Sequence, residues 1–247
     1  MKDKINRYEV KYDLLVMNVV GIIYTILLFA LIGLMFKNNL FVSNFGDFPV
    51  LFDNEQGLNY WWFLFFILYL FWMVFHEVIH GVTYVLFGAK WKNISFGAAL
   101  EKSILYCKCG EDVSKKNIMA SLIAPFLLIG VFTGVISFII GSYMLLFLSI
   151  LNIIGACADL TMFVFFLRRK NDIKFREVGD TSTFILSTSE ELDKKKYFGI
   201  KSVKLLKDNE YLKEKNVKKI DISKGSKIYI LFIGILILIN ILLWFAS

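Results

Sequence analysis

Five long apolar stretches dominate this chain of 247 residues and restrict the folds open to it. Each has 18 or more residues, enough to cross about 30 Å of hydrocarbon as a helix. The apolar and aromatic share of 57% also exceeds what a soluble domain of this length needs. We therefore predict an all-α polytopic membrane protein with about five transmembrane helices, at residues 14–36, 60–87, 118–141, 143–167 and 228–245.

The distribution of positive charge predicts how these helices are oriented. Of the 28 lysines and arginines, only Lys37 lies in the acidic loop 37–59. Alternating helices place all the others on one side, and positively charged loops stay in the cytoplasm. We predict a multi-pass protein of the cell membrane with a cytoplasmic N-terminus and an external C-terminus. The net charge of +7 then faces anionic lipid, and we expect no nucleic-acid partner.

The same pattern divides the chain into three parts. Residues 1–167 form a membrane core with four helices, residues 168–227 a basic cytoplasmic segment, and residues 228–247 a C-terminal helix. Only Gly141 and Ser142 separate the third helix from the fourth, which predicts a tight hairpin between them.

Short strands are predicted outside the membrane. β-forming residues at 94–99 and 103–107 predict a cytoplasmic β-hairpin, followed by a helix that starts at Asp112 or Ser114. Cys107 and Cys109 could hold a metal, although alternation along a strand explains their spacing equally well. In the basic segment, TSTFILS at 181–187 predicts a strand, and the lysine-rich residues 200–216 predict a helix.

The second apolar stretch contains the motif HEVIH and with it the only two histidines of the chain, His76 and His80. Four residues of helix place both imidazoles on one face, where they can bind one tetrahedral metal ion. Glu77 follows the first histidine, as does the general base of zinc peptidases with this motif. The alternative is that the histidines only join helices through hydrogen bonds. An intramembrane glutamate in the same turn favours the functional interpretation.

A third metal ligand is needed, and Asp159 is the candidate. Only Glu77 and Asp159 are acidic residues well inside apolar stretches. His80 and Asp159 lie about 10 and 12 Å from the cytoplasmic ends of their predicted helices, which puts them at the same depth. We predict one Zn²⁺ per chain, bound by His76, His80 and Asp159. Pairing of Asp159 with a lysine or an asparagine is the alternative.

Three further residues near this motif are candidates for supporting roles. Asn152 lies two turns before Asp159 and could donate to a substrate carbonyl or oxyanion, or could join two helices. Tyr84 is another possible donor, or an ordinary interfacial aromatic residue. Pro125 should kink the third helix and free a backbone carbonyl.

These motifs resemble a known family. HEVIHG at 76–81, APF at 124–126, NIIGACAD at 152–159 and DTSTF at 180–184 are similar to the putative zincin peptidase family of bacterial multi-pass membrane proteins. That family is itself similar to the site-2 intramembrane metalloproteases. The resemblance covers roughly residues 60–190 and makes residues 1–167 a metalloprotease-like core.

The resemblance implies zinc held by His76, His80 and Asp159, with Glu77 as the general base. It departs from site-2 proteases because Leu160 follows the aspartate and no proline lies near Asn152, which affects the details of substrate binding. The predicted hairpin resembles the membrane-edge strands with which such proteases pair an extended substrate.

We therefore expect a zinc-dependent intramembrane endopeptidase that hydrolyses peptide bonds of membrane-embedded or membrane-associated substrates through metal-activated water. The alternative is a non-proteolytic membrane metal-binding or interaction protein. A metal or proton transporter is less favoured, because no inverted repeat is evident.

Overall fold

A computed structural model describes residues 5–37, 60–99, 104–178, 182–192 and 197–207. Its helices follow the apolar stretches of the sequence. They are α1 (Leu14–Lys37), α2 (Tyr60–Leu86), α3 (Lys115–Pro125), α4 (Thr133–Ile140), α5 (Tyr143–Gly155) and α6 (Cys157–Leu167). A π-helical segment, Phe126–Phe132, joins α3 to α4, so that the two form one helical rod.

Two antiparallel sheets accompany the helices. Their strands are β1 (Asn6–Tyr12), β2 (Ile94–Ala99), β3 (Ile104–Cys109), β4 (Val113–Ser114), β5 (Lys174–Glu177), β6 (Thr183–Thr188) and β7 (Ile200–Leu205). β2 and β3 form a separate hairpin, while the larger sheet has the strand order β4-β5-β6-β1-β7. The prediction of an all-α fold class is therefore wrong.

The larger sheet was not predicted because one of its inner strands, β1, has no local partner. β1 lies in the charged N-terminal segment, and its Tyr8 pairs with Leu186 of β6 and with Leu205 of β7. The sequence within each segment does not indicate which distant segment it pairs with. The predicted helix at 200–216 is wrong over Ile200–Leu205, because pairing with β1 makes this stretch a strand.

The larger sheet packs against the end of α6. The Phe166 ring lies 5.5 Å from the Phe175 ring of β5, and both pack near Phe184 of β6. All three side chains are buried, and such aromatic clusters contribute large apolar areas. This core fixes the sheet to the helical part of the chain.

Fewer helices than predicted qualify as membrane spans. Among the described residues, Phe65–Leu86 and Lys115–Ile140 are long and apolar enough, and α5 with α6 makes a third span if a 48° bend is accepted. The apolar part of α1, Leu15–Leu28, is shorter than these two candidate spans. The stretch at 228–245 lies outside the described residues. Two or three candidate spans, rather than five, follow from the structure.

Several local predictions are confirmed. The hairpin forms as β2 and β3, β6 covers most of the strand expected at 181–187, and the Ser114 hydroxyl caps α3 by accepting from Asn117 N at 3.3 Å. Gly141 adopts φ +68° at the end of α4, and Ser142 caps α5. The larger sheet combines strands that precede residue 167 with strands that follow it. The division of the chain into three parts at residues 167 and 227 stays a prediction.

The hairpin lies directly against α2 beside the histidine motif. A Cβ at Gly81 would lie 2.6 Å from the Phe96 ring of β2, so glycine is required for this close approach. The contact brings the neighbouring strand β3 next to the turn of α2 that carries His76 and His80.

Candidate metal centre

Three predicted ligands from two helices meet in the structure. His76 and His80 lie one turn apart on α2, and Asp159 lies in the first turn of α6. Nε2 of His76 is 3.1 Å from Asp159 Oδ2 and 3.1 Å from Nε2 of His80, which is itself 3.5 Å from Asp159 Oδ2. The three atoms form a nearly equilateral triangle.

This triangle has the dimensions of one face of a zinc tetrahedron. Tetrahedral ligands 2.0 to 2.1 Å from a zinc ion lie about 3.3 to 3.4 Å from one another. The three distances of 3.1, 3.1 and 3.5 Å bracket that value. The donor set of two imidazoles and one carboxylate suits zinc and leaves a fourth position open.

A break in the last helix pair places the aspartate. α5 ends at Gly155 and α6 starts at Cys157, with a bend of 48° between them. Asp159 consequently lies in the first turn of a new helix, where the helix dipole favours a negative charge. The continuous helix predicted at 143–167 is therefore broken at Ala156.

Pro125 explains how His80 is oriented. A proline has no N–H to donate to the carbonyl four residues earlier, and in α3 that carbonyl belongs to Ser121. The freed Ser121 oxygen accepts the Nδ1 proton of His80 at 2.8 Å instead. The predicted effect of Pro125, a free carbonyl, is thus connected directly to the candidate metal centre.

His76 is oriented through the same kink. Asn152 Nδ2 donates to the Pro125 carbonyl at 3.1 Å, so its Oδ1 is left to accept from His76 Nδ1 at 2.8 Å. This bond makes Asn152 a residue that orients a histidine, which is a form of the helix-joining role weighed above. Its predicted donation to a substrate oxyanion stays a prediction, since one amide hydrogen donates to Pro125 and the amide carries a second.

These outer hydrogen bonds fix the tautomers of both histidines. Each Nδ1 faces an oxygen that can only accept, so in the neutral rings Nδ1 carries the proton. Both Nε2 lone pairs then point at each other and at the Asp159 carboxylate. Three acceptors this close repel one another unless a cation lies among them, and zinc-binding histidines are typically held by such outer partners.

The candidate metal centre opens into a cavity of about 460 Å³. The three ligands, the predicted base Glu77, and the predicted supporting residues Asn152 and Tyr84 all line it. The backbone N–H of Cys107 on β3 donates to the Glu77 carboxylate. The cavity can therefore hold a substrate against both the candidate metal centre and a carboxylate that is able to take a proton.

Tyr12 of β1 and Glu177 of β5 are two of the cavity residues that were not predicted from the sequence. Burial, followed by the charges of Glu177 and Asp159, raises the pKa of Tyr12, which places its ring near both carboxylates. Both residues arrive through the larger sheet, so no signal in the local sequence could have found them.

The cysteines do not join the metal ligands. Among the described residues, the group able to hold a metal consists of His76, His80 and Asp159. Burial raises the pKa of Cys109 to about 12, and burial with the charge of Glu177 raises that of Cys107 still further. Because neither thiol belongs to that group, a metal role for the C-x-C pair gains no support among the described residues.

Replacing Pro125 with alanine tests the orientation of His80. Alanine restores an N–H that competes for the Ser121 carbonyl, so we expect zinc affinity to fall by about tenfold, the lower end of the effect of losing an outer-shell partner. Competition with a chromophoric chelator measures it. Leu128→Ala, an exposed position in the same helical rod, should leave the affinity unchanged. Equal affinities in all three proteins would contradict the role assigned to Pro125.

Comparison with known proteins finds a family match over the part of the chain that contains the candidate metal centre. Residues 69–174 match a family model described as putative zincin peptidase. No curated protein and no solved structure matches the chain. The matched region contains the histidine motif, Pro125, Asn152 and Asp159. Residues 69–174 are thus similar in sequence to the putative zincin peptidase family, and this points to a zinc metallopeptidase.

Proposed function

We propose that this protein is a zinc-dependent endopeptidase that cleaves membrane-embedded or membrane-associated substrates within the bilayer. The observation that carries the proposal is the triangle of His76 Nε2, His80 Nε2 and Asp159 Oδ2, whose 3.1 to 3.5 Å edges suit one zinc ion. The match to a zincin peptidase family supports the same chemistry. We assign His76, His80 and Asp159 as ligands and Glu77 as the general base.

The chemistry divides between the ion and the side chains. A zinc ion bound there would polarise the scissile carbonyl and lower the pKa of a coordinated water toward 7. Glu77 would take the proton of the attacking water and later give it to the leaving amine. Asn152 and the Ser121 carbonyl would keep both imidazoles in place throughout. Tyr84, buried on the wall of the cavity, remains our candidate donor to the substrate carbonyl.

The position of β3 supports an extended substrate. Gly110 N donates to Asn93 O at 2.9 Å. This bond shows which residues of β3 direct their N–H and C=O groups toward β2 and which direct them away from it. In an antiparallel pair, alternate residues direct their N–H and C=O groups away from the partner strand. Leu105 and Cys107 are such residues, and both line the cavity. The Cys107 N–H donates to Glu77, so its C=O and the groups of Leu105 remain for a substrate. We propose that substrate pairs with this edge, since a helix must unwind before it can be cleaved.

The larger sheet also supports the proposed topology. β1 precedes α1 and pairs with β6 and β7, which follow α6. Strands that share a sheet lie on one side of the membrane. We propose that this side is the cytoplasm, where the lysine-rich loops belong, and that the protein is multi-pass with β1 on that side.

Removal of the metal tests the proposed function. We expect the purified full-length chain to cleave members of a library of quenched fluorescent peptides with apolar central segments. A chelator should abolish cleavage, and added zinc should restore it. Hydrolysis that persists without metal would contradict the proposal. Bound zinc without hydrolysis of any peptide would favour the alternative, a non-proteolytic metal-binding protein.

A further inference from the structure

A second carboxylate in the cavity takes no part in the chemistry proposed above. Glu177 ends β5, and its Oε2 accepts from Cys109 N at 2.7 Å. Among the described residues, its Oε1 makes no hydrogen bond. We propose that Glu177 forms a subsite for a positively charged substrate side chain, lysine or arginine, about two residues from the cleaved bond. This inference rests on the proposed function.

The edge of β3 sets the distance between the two carboxylates. Cys107 and Cys109 both direct their N–H groups away from β2, the first to Glu77 and the second to Glu177. Residues two apart along a strand are separated by about 6.7 Å. Glu177 therefore lies two residues of extended chain from the group that activates water, and a substrate side chain at that spacing reaches it.

Lys108 lies close enough to Glu177 for its charge to act on that carboxylate, but it does not line the cavity that holds the candidate metal centre. Three carboxyl groups line the cavity, those of Glu77, Asp159 and Glu177, and none of the described residues that line it is a lysine or an arginine. A zinc dication, if bound, would balance the two carboxylates nearest to the candidate metal centre, Glu77 and Asp159. The remaining carboxylate, that of Glu177, interacts with the charge of Lys108 and can also attract a cation that enters the cavity.

The surroundings of Glu177 fit a cation. Tyr12 and Tyr106 line the cavity beside it, and aromatic faces attract ammonium and guanidinium groups. The chain provides its own example, since the ammonium of Lys108 lies 4.5 Å from the centre of the Tyr106 ring. Burial raises the pKa of Glu177 to about 7, while the Cys109 N–H and the charge of Lys108 act in the opposite direction. A cation in the cavity would offset the cost of burying this charge.

The position of Glu177 indicates the class of substrate. β5 belongs to the larger sheet, which lies on the proposed cytoplasmic side, whereas the candidate metal centre lies on apolar helices. Membrane segments carry lysine and arginine at their cytoplasmic ends. A segment cleaved near that end would place its basic flank at Glu177 while its apolar part still lies among the helices.

Binding of matched peptides to the metal-free full-length chain tests this subsite without relying on hydrolysis. The probes are blocked, dye-labelled peptides of leucine and alanine in which one lysine is moved along the sequence, each paired with a norleucine peptide. We expect lysine to improve binding by about tenfold at one or two adjacent positions, as a partly desolvated charge pair can. In Glu177→Gln, which can still accept from Cys109 N, this ratio should fall to about one.

Each outcome separates the subsite from the proposed function. The same lysine preference in wild type and Glu177→Gln, or no preference at any position, would overturn the subsite. A preference that depends on Glu177, in a protein that never cleaves peptides with zinc bound, would support the subsite and overturn the peptidase. Norleucine peptides should bind both proteins equally, and weaker binding to Glu177→Gln would show instead that this side chain only maintains the fold of β3.

Discussion

Glutamine at position 77 is expected to lower peptide hydrolysis by about 10²- to 10⁴-fold, the usual contribution of a general acid-base group. The amide keeps the size of the side chain and can still accept from the Cys107 N–H, but it cannot take a proton from water. Zinc should remain bound, because His76, His80 and Asp159 are untouched. Single-turnover cleavage and zinc content, measured on one preparation, give both results.

The matched control is Glu191→Gln. Glu191 is exposed and lies outside the cavity, so this variant should cleave as wild type does. A Glu77→Gln protein with zinc bound and full activity would remove Glu77 from the mechanism. Loss of both zinc and activity would instead make Glu77 a metal ligand.

The second large effect is expected from Asp159→Ala, which removes a ligand and a buried charge together. We expect its zinc affinity to fall by more than the roughly 10- to 100-fold that follows loss of an outer-shell partner. The two histidines would then be left with one another, 3.1 Å apart at Nε2. Elemental analysis after gel filtration should find close to no zinc, and hydrolysis should disappear with it.

Cys157→Ser is the matched control for this variant. Cys157 lies two residues before Asp159 on α6 and also lines the cavity, but it is not among the potential ligands. Zinc should stay with this protein. If Asp159→Ala retained zinc as wild type does, the third ligand would have to be another group. If wild type bound no zinc at all, the three side chains would form only a helix-joining polar cluster.

The two histidines of the site could be predicted from the sequence because they lie only four residues apart. His76 and His80 share a helix face whatever the rest of the chain does, and a lone intramembrane aspartate has few possible roles. Asp159 was found by elimination and by depth, which needs only helix length and direction. The bend at Ala156, which gives Asp159 its place at a helix start, left no comparable signal beyond Gly155.

The remainder of the site depends on contacts between distant segments. A freed carbonyl at Ser121 follows from Pro125 alone, but its hydrogen bond to His80 requires the packing of α2 against α3. Glu177 and Tyr12 reach the cavity through pairing of β1 with β6 and β7, which no local pattern encodes. Because the larger sheet could not be predicted, neither could the strands that form it nor the wall of the cavity to which Tyr12 and Glu177 belong.

X-ray absorption at the zinc edge tests the central claim most directly. For wild-type protein loaded with one zinc per chain, we predict two imidazole ligands and oxygen ligands at about 2.0 to 2.2 Å. Asp159→Ala and His80→Ala should each remove this pattern, and Cys157→Ser should keep it. Sulfur at about 2.3 Å, or a spectrum with no imidazole scattering, would contradict the account.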